Sequence, residues 1–369
     1  MEIQHAPLGI DKYEIDTPAL LLDLDAMEHN LHFMRDFCRK NKVNLRPHIK
    51  THKTPILAHK QVEAGAIGIA CQKLEEAEVM AEAGLKDILV TYEMVTPQKI
   101  RRLVNLAKHA NIIACVDNAK NVEDLSAAAQ AERVDLDLLV EINVGHKRCG
   151  VEPGEPTLAL VKRVVKAPGL KLRGLMGYAG YLMIEEDKEK RRKGSIEATT
   201  KLVETRRMVE KEGIEVEICS AGGTGTYDFD GIFEGVTEIQ PGSYLTMDSK
   251  YKKVVPELRE AITVLTTVVS RGAPDRASVD AGLKCITPDY GFYGWPEIKG
   301  GKGFGWVSLH EEHGNLKLSD PEPDIKPGDI LELIPAHGCS TFALHDLLYG
   351  IRKGKLECIW SIAARGCFR

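Results

Sequence analysis

Residues 46–53, RPHIKTHK, place five basic side chains in eight consecutive positions. Lys50 lies among them, and the positive charges of its neighbours disfavour the ammonium form of its amine. A lysine with a depressed pKa is the residue type that attacks a carbonyl carbon and holds a carbonyl compound covalently. The segment therefore predicts a reactive lysine, although a loop whose side chains extend into water is compatible with the same residues.

Two further segments carry groups suited to an anionic cofactor. SAGGTGT (220–226) has three glycines behind an apolar run, so several backbone N–H groups can approach one phosphate. QPGSY (240–244) adds the hydroxyl groups of Ser243 and Tyr244, and Arg148 follows a third apolar run. A lysine, a phosphate-binding turn and an arginine at neighbouring strand ends are what a pyridoxal phosphate site requires.

These segments lie within a regular alternation of apolar runs and helical patterns. The runs lack polar alternation, as expected of strands that are buried on both faces. Roughly eight βα units over about 230 residues predict a (β/α)8 barrel of the TIM type across residues 15–250, with its chemistry at the C-terminal ends of the strands. A doubly wound sheet is the alternative that the pattern leaves open.

The pattern changes in residues 251–369. Strand-like segments separated by Gly, Pro and Asp turns predict a mainly-β domain, and residues 1–14 are expected to pack on it. The net charge of −5 argues against a general nucleic-acid binder. The first residues lack the basic and apolar regions of a signal peptide, so none is expected, and no apolar run approaches the ~20 residues of a membrane helix. Nine scattered cysteines favour reduced thiols and a cytoplasmic location.

Seven segments together resemble a known family. They are TPALLLDLDAMEHNL, LRPHIKTHKTP, GIACQKLEEAEVM, CVDNAKNVEDL, EINVGHKRCGV, AGGTGTYDFD and IQPGSYLTMDSKY. This set resembles the fold-type III pyridoxal-phosphate enzymes, and within them the D-threonine aldolase and D-serine dehydratase group, whose N-terminal domain is like that of alanine racemase. The resemblance extends from about residue 15 to the C-terminal SIAARGCFR.

The resemblance implies a role for each candidate. Lys50 would hold the cofactor covalently, Arg148 would approach its phenolic oxygen, and Tyr178 would contact it. Gln240 stands where alanine racemases place an arginine beside the pyridine nitrogen, and a neutral partner there makes the ring less electron-withdrawing. The residues expected around the phosphate are Gly222, Gly223, Thr224, Gly225, Gly242, Ser243 and Tyr244.

A candidate metal site lies in PAHGCSTF, which contains His337 and Cys339. On a strand these positions share a face, so both side chains could bind one ion. Two ligands are fewer than zinc sites normally use, so the spacing alone is compatible with chance. The resemblance implies a divalent metal bound by this segment, and a thiolate ligand favours zinc over manganese or magnesium.

The chain departs from the family at one position. Where the bacterial aldolases tend to have Tyr-His-Gly, this sequence has Tyr178, Ala179 and Gly180. The missing histidine is a candidate base for the substrate hydroxyl. In its absence, metal-bound hydroxide or Tyr181 would have to take that role.

The resemblance implies a lyase of β-hydroxy-D-amino acids. Retro-aldol cleavage to glycine and an aldehyde is the first expectation, and dehydration to a keto acid and ammonia is the alternative, because His337 with Cys339 is the dehydratase pattern. A racemase that uses Tyr290 or Tyr293 as its second base is a more distant alternative. A non-catalytic cofactor carrier and a plain structural barrel are the alternatives outside catalysis. The family also implies a homodimer with its active site at the subunit interface.

Overall fold

The computed structural model describes residues 6–289, 294–319 and 324–369. The chain divides into two compact units. The barrel unit comprises Phe33–Lys50, Pro55–Gly242 and Cys367–Arg369, and the β unit comprises the described parts of Met1–His32, Thr51–Thr54 and Ser243–Gly366. The predicted boundary at residue 250 stays a prediction.

The strands and helices alternate up to about residue 240, and strands predominate after it. In chain order, the described strands are β1 (Ala19–Asp23), β2 (Asn44–Leu45), β3 (Ile69–Cys71), β4 (Asp87–Glu93), β5 (Asn111–Val116), β6 (Leu136–Glu141), β7 (Leu170–Met176), β8 (Ile218–Ala221), β9 (Glu238–Ile239), β10 (Ile262–Ala273), β11 (Arg276–Val279), β12 (Glu297–Ile298), β13 (Phe304–Leu309), β14 (Gly314–Leu318), β15 (Ile330–Ile334), β16 (Leu347–Arg352) and β17 (Lys355–Ser361). The described helices are α1 (Leu24–Asn41), α2 (Pro55–Glu63), α3 (Leu74–Glu82), α4 (Pro97–Leu106), α5 (Ala119–Glu132), α6 (Glu155–Lys166), α7 (Lys188–Lys211), α8 (Tyr227–Asp230), α9 (Ser249–Val254) and α10 (Gly338–Phe342).

The barrel unit contains an eight-stranded parallel sheet in the order β2-β9-β8-β7-β6-β5-β4-β3. A parallel bridge between His48 and Ala70 joins the chain just after β2 to β3, so the two ends of this order meet. The predicted (β/α)8 fold class is therefore confirmed, and the doubly wound sheet is wrong because such a sheet has two separate edges. The interior is filled by aliphatic and sulfur side chains from successive strands, namely Ala70, Leu89, Ile113, Cys115, Leu139, Met176 and Ile218.

The β unit is built on a nine-stranded sheet, which confirms the predicted mainly-β domain. Its main path is β13-β14-β11-β10-β1-β16-β17, and β15 pairs with β10 and β12. The range 15–250 predicted for the barrel includes β1, but β1 is not a barrel strand: it pairs antiparallel with β10 and parallel with β16. An apolar run that is buried on both faces has the same sequence pattern in either sheet.

Among the described helices, none combines the length and the apolar composition that a membrane span requires. Two helices that follow candidate site residues in the chain have an aspartate as their N-cap. Asp187 precedes α7, and its carboxylate accepts hydrogen bonds from the N–H groups of Glu189 and Lys190. Asp248 precedes α9 and accepts from the N–H of Tyr251. Such caps satisfy N–H groups that have no partner inside the helix.

A buried ion pair connects β2 to β9. Arg46, whose side chain is 3% exposed, donates from Nε to Glu238 Oε2 at 3.1 Å, and Glu238 is 1% exposed. The Arg46 guanidinium also pairs with Asp87 at the start of β4. Two charges removed from water are tolerated only when each has its partners.

Replacing Arg46 with methionine is expected to lower the free energy of unfolding by about 3–5 kcal/mol, because the Glu238 carboxylate would remain buried without its cation. Urea denaturation of both proteins measures the difference. Arg102→Met is the matched control, since the Arg102–Glu78 pair is about one-third exposed and is expected to contribute within about 1 kcal/mol. Equal effects of the two substitutions would contradict the assignment of Arg46 to a buried network.

Candidate active site

Two of the predicted site residues converge on the aromatic ring of a third. Lys50 Nζ lies 5.4 Å from the centroid of the Tyr178 ring, and the guanidinium carbon of Arg148 lies 5.7 Å from it. Lys50 follows β2, Arg148 follows β6 and Tyr178 follows β7, so each belongs to the C-terminal end of a barrel strand. This is the end at which catalytic side chains collect in the barrel fold.

The other basic residues of the RPHIKTHK segment are buried. His48 is 6% exposed, and its Nε2 lies 3.0 Å from Thr91 Oγ1. His52 is fully buried and Lys53 is 7% exposed. The alternative of a solvated loop is therefore wrong. The view of the segment as five like charges around Lys50 is also wrong for Arg46, because carboxylates balance its charge.

The glycine-rich turn packs so closely that side chains cannot be added to it. A Cβ on Gly223 would lie 2.5 Å from Met183 Sδ and 3.4 Å from a carbon of the Tyr178 ring. A Cβ on Gly225 would lie 2.1 Å from the Met183 carbonyl oxygen, and Gly222 has a positive φ of 72°. The turn therefore offers bare backbone beside Tyr178, which is the form that phosphate-binding turns take.

The remaining predicted phosphate residues lie in two places. Thr224 belongs to the same turn and is 2% exposed, and Gly242 ends a range of the barrel unit. Ser243 and Tyr244 belong to the β unit, where they form a short 3-10 helix, Ser243–Leu245. Both are buried, Ser243 at 7% exposure and Tyr244 at 0%.

Gln240 is held by a chain of buried hydrogen bonds. Its Nε2 donates to Ser220 Oγ at 2.6 Å, and Ser220 Oγ donates to Glu238 Oε1 at 2.7 Å. The other oxygen of Glu238 accepts from Arg46. Because Ser220 gives its proton to the carboxylate, its oxygen can only accept from Gln240, which fixes the orientation of the amide.

His337 and Cys339 lie at the start of a helix, so the prediction of a strand that carries both on one face was wrong. His337 precedes α10 and Cys339 is in its first turn. The turn is fixed by Asp248, whose Oδ2 accepts from the N–H of Gly338 at 3.0 Å, while Cys339 Sγ lies 3.2 Å from Thr51 Oγ1. The backbone therefore turns where the strand argument expected it to stay extended.

The two side chains nevertheless interact. Burial by itself lowers the pKa of His337, but the hydrogen bond and charge of Cys339 outweigh it, with help from Asp248 and Asp289, and raise the pKa to about 9. His337 Nδ1 lies 2.8 Å from Asp289 Oδ2. A carboxylate in this position fixes the orientation of a metal-binding histidine. Sequence reasoning did not identify Asp289, which is 48 residues away in the chain.

The donor chemistry of this pair fits a soft divalent ion such as zinc. The described residues contain no group of three or more His, Cys, Asp and Glu side chains placed to hold a metal. The structure thus brings two protein donors together with one orienting carboxylate. Tyr290 and Tyr293, the candidate second bases of a racemase, lie outside the described residues.

Tyr181, the other predicted catalytic residue, is 44% exposed. Partial burial of the Tyr181 hydroxyl raises its pKa, so the phenolate is harder to form. Ala179 is nearly buried at 7% exposure. The phenol is therefore a poor proton acceptor near neutral pH.

His146 is a site residue that sequence reasoning missed. Its ring stacks on that of Tyr178, with centroids 6.0 Å apart and an interplanar angle of 22°, and lies 6.1 Å from the ring of Tyr181. Burial, followed by the charges of Arg148 and Lys50, lowers the pKa of His146. The only available signal was its position two residues before Arg148 in VGHKRCG.

Comparison with known proteins assigns the chain to a family. The model of the alanine racemase N-terminal domain matches residues 22–250, and that of a putative serine dehydratase domain matches residues 261–351. A D-threonine aldolase from Arthrobacter sp. is 38% identical over 96% of this chain and 94% of its own length. A 3-hydroxy-D-aspartate aldolase from Paracoccus denitrificans (strain Pd 1222) is 37% identical over 97% of this chain and 94% of its own.

Among solved structures, the chain is similar to a D-threonine aldolase from Filomicrobium marinum. The TM-score is 0.94 at 38% identity, and the match covers 99% of this chain and 100% of that one. Both domains of the chain are therefore matched together, in sequence and in fold. The chain belongs to the alanine racemase N-terminal domain family, in the group that contains the D-threonine and 3-hydroxy-D-aspartate aldolases.

Proposed function

We propose that the protein is a pyridoxal-phosphate- and divalent-metal-dependent lyase that cleaves β-hydroxy-D-amino acids to glycine and an aldehyde. The observation that supports it most is the convergence of Lys50, Arg148 and the glycine-rich turn on the Tyr178 ring. An amine for covalent attachment, a cation and bare backbone N–H groups are the functions that this cofactor needs from a protein. The relatives described above are named as aldolases of such substrates.

Each residue has a part in this proposal. Lys50 would attach the cofactor, Arg148 would neutralise the charge of its phenolic oxygen, and Gln240 would be the neutral partner of its pyridine nitrogen. When bound, the cofactor supplies an electron sink for Cα and the metal a Lewis acid. The metal would be held by His337 and Cys339, with zinc favoured by the thiolate. The residues assigned to the phosphate are Gly222, Gly223, Thr224, Gly225, Gly242, Ser243 and Tyr244.

Dehydration to a keto acid and ammonia is the second candidate. The observation that favours it is the pairing of His337 with Cys339, which resembles the dehydratase pattern. In that reaction Lys50 would remove the proton on Cα and hydroxide would leave Cβ. The two reactions start from the same substrates, so their products distinguish them.

The test supplies the purified holoenzyme with D-threonine, D-serine and 3-hydroxy-D-aspartate, with and without a metal chelator. D-Threonine is expected to give glycine and acetaldehyde in equal amounts, and chelation is expected to lower the rate. L-Threonine is the matched control and is expected to remain intact. Ammonia with a keto acid would establish the dehydratase instead, and the absence of both product sets would exclude a lyase of these substrates.

Assembly and location are further parts of the proposal. The family resemblance supports a homodimer with its active site at the subunit interface, which sedimentation velocity would test. None of the nine cysteines, all of which lie in the described residues, forms a disulfide, which supports a reducing, cytoplasmic location. The substrate is a small D-amino acid, and neither nucleic acid nor a membrane is expected as a partner.

A further inference from the structure

The imidazole of His146 fills the space beside residues 179 and 180. A Cβ on Gly180 would lie 2.5 Å from His146 Cε1 and 2.7 Å from its Nδ1. Ala179, next to it, has only a methyl side chain. His146 belongs to the loop after β6, whereas residues 179 and 180 follow β7.

Burial and the charges of Arg148 and Lys50 lower the pKa of the His146 ring, and one of its nitrogens is not engaged. Nδ1 is buried and has no hydrogen-bond partner within the described ranges. The charged and titratable groups around it are Lys50, Arg148, Tyr178 and Tyr181. Two of these are cations, so protonating the ring would add a third positive charge. A neutral imidazole keeps one lone pair available to accept a proton.

We propose that His146 is the general base that removes the proton of the substrate β-hydroxyl group. The proposal rests on the proposed retro-aldol function. The O–H electron pair forms the second bond of the aldehyde carbonyl, the Cα–Cβ bond breaks, and its electron pair goes to Cα. His146 takes the hydroxyl proton and releases it to solvent, and solvent supplies the proton that Cα takes up to complete glycine, so the reaction has no net proton change. Dehydration would instead need a proton donor at this oxygen, and the charges of Lys50 and Arg148 disfavour the protonated imidazole that would supply the proton.

The first test is kinetic and uses the holoenzyme with D-threonine. His146→Gln is expected to lower kcat by about 10²–10³-fold, which is the range for a general base. The KM of this variant is expected to change little, and the visible absorbance of its bound cofactor is expected to remain that of the wild type. In the wild type, kcat/KM is expected to rise with pH through a midpoint below about 6.5, the ordinary value for histidine. This rise at low pH, the acid limb of the pH profile, is expected to be absent from His146→Gln.

The second test reads the imidazole directly. Histidine side-chain NMR of the protein prepared without cofactor, assigned with His146→Gln, is expected to give a His146 midpoint below about 6.5. Free imidazole added to His146→Ala holoenzyme is expected to raise the kcat of this variant at least about tenfold. His109→Gln, which alters an exposed histidine after α4, is the matched control and should match the wild type.

The outcomes separate this proposal from the function on which it rests. A wild-type enzyme that forms no aldehyde refutes the retro-aldol function itself. An active wild type whose His146→Gln variant keeps kcat within about threefold overturns only the role of His146. A large loss that imidazole does not restore, with the acid limb still present, assigns His146 a packing role and also overturns the proposal.

Discussion

Replacing Lys50 with alanine is expected to remove the covalently held cofactor and to lower kcat for D-threonine cleavage by about 10²–10⁴-fold. Lys50 Nζ lies 5.4 Å from the Tyr178 ring, where the cation of Arg148 and the glycine-rich turn also lie. No second lysine is placed against this ring among the described residues. The loss of this amine therefore removes the attachment point itself.

The attachment can be measured without an activity assay. Borohydride reduction followed by digestion and mass spectrometry is expected to find the added cofactor mass on the peptide that contains Lys50. In Lys50→Ala that modified peptide should be absent, together with the visible absorption band that borohydride bleaches.

Lys99→Ala is the matched control for this substitution. Lys99 Nζ lies 5.1 Å from the centroid of the Tyr92 ring, so it has the same cation-on-tyrosine geometry on another strand end of the barrel. Its removal is expected to leave the band and kcat unchanged. A Lys50→Ala protein that keeps a reducible cofactor linkage would show that another amine is the anchor.

Replacing His337 with alanine is expected to abolish zinc binding and to lower kcat by about 10²–10³-fold, the usual effect of losing a group that stabilises developing charge. His337 and Cys339 are the two donors that the start of α10 brings together. Removing one of two protein donors leaves a single thiolate, which is too few for a protein zinc site. Metal content by mass spectrometry and D-threonine cleavage measure the two effects.

Two companion variants refine this result. Cys339→Asp is expected to shift the metal preference from zinc towards manganese, because a carboxylate is a harder ligand than a thiolate. Asp289→Asn is expected to weaken zinc binding about 10–100-fold, since Asp289 orients the His337 ring. Cys285→Ser is the matched control, because this half-buried thiol bonds to the carbonyl of Gly282. Full zinc content in His337→Ala would refute the site.

The fold was largely predictable because the barrel strands are apolar runs of regular spacing. The exception was β1, whose partners β10 and β16 are more than two hundred residues away in the chain. Periodicity reports that a strand is buried on both faces, whereas pairing depends on contacts between distant segments. The sheet to which an apolar run belongs is therefore not encoded in the run itself.

Candidate site residues could be predicted from the sequence where their place at a strand end also determines their position in the fold. Lys50, Arg148 and the 222–225 turn follow strand ends, and a barrel brings strand ends together. His337 and Cys339 were assigned to a strand because their spacing suited one, but Asp248, about ninety residues away in the chain, accepts from the N–H of Gly338 and stabilises a turn instead. His146 was missed because its significance depends on Gly180 leaving room for its ring.

The hydrogen-bonded chain from Arg46 to Gln240 restricts how this barrel can acquire a different reaction. Racemases of the resembled type place an arginine at residue 240. Here both oxygens of Glu238 already have partners, one in Ser220 and one in Arg46. A second guanidinium would be buried without a carboxylate to balance it, at a cost that a single substitution does not offset. A change from a neutral residue to an arginine at position 240 therefore requires Arg46 to change as well. The two activities share a fold, but at least two coupled substitutions separate them.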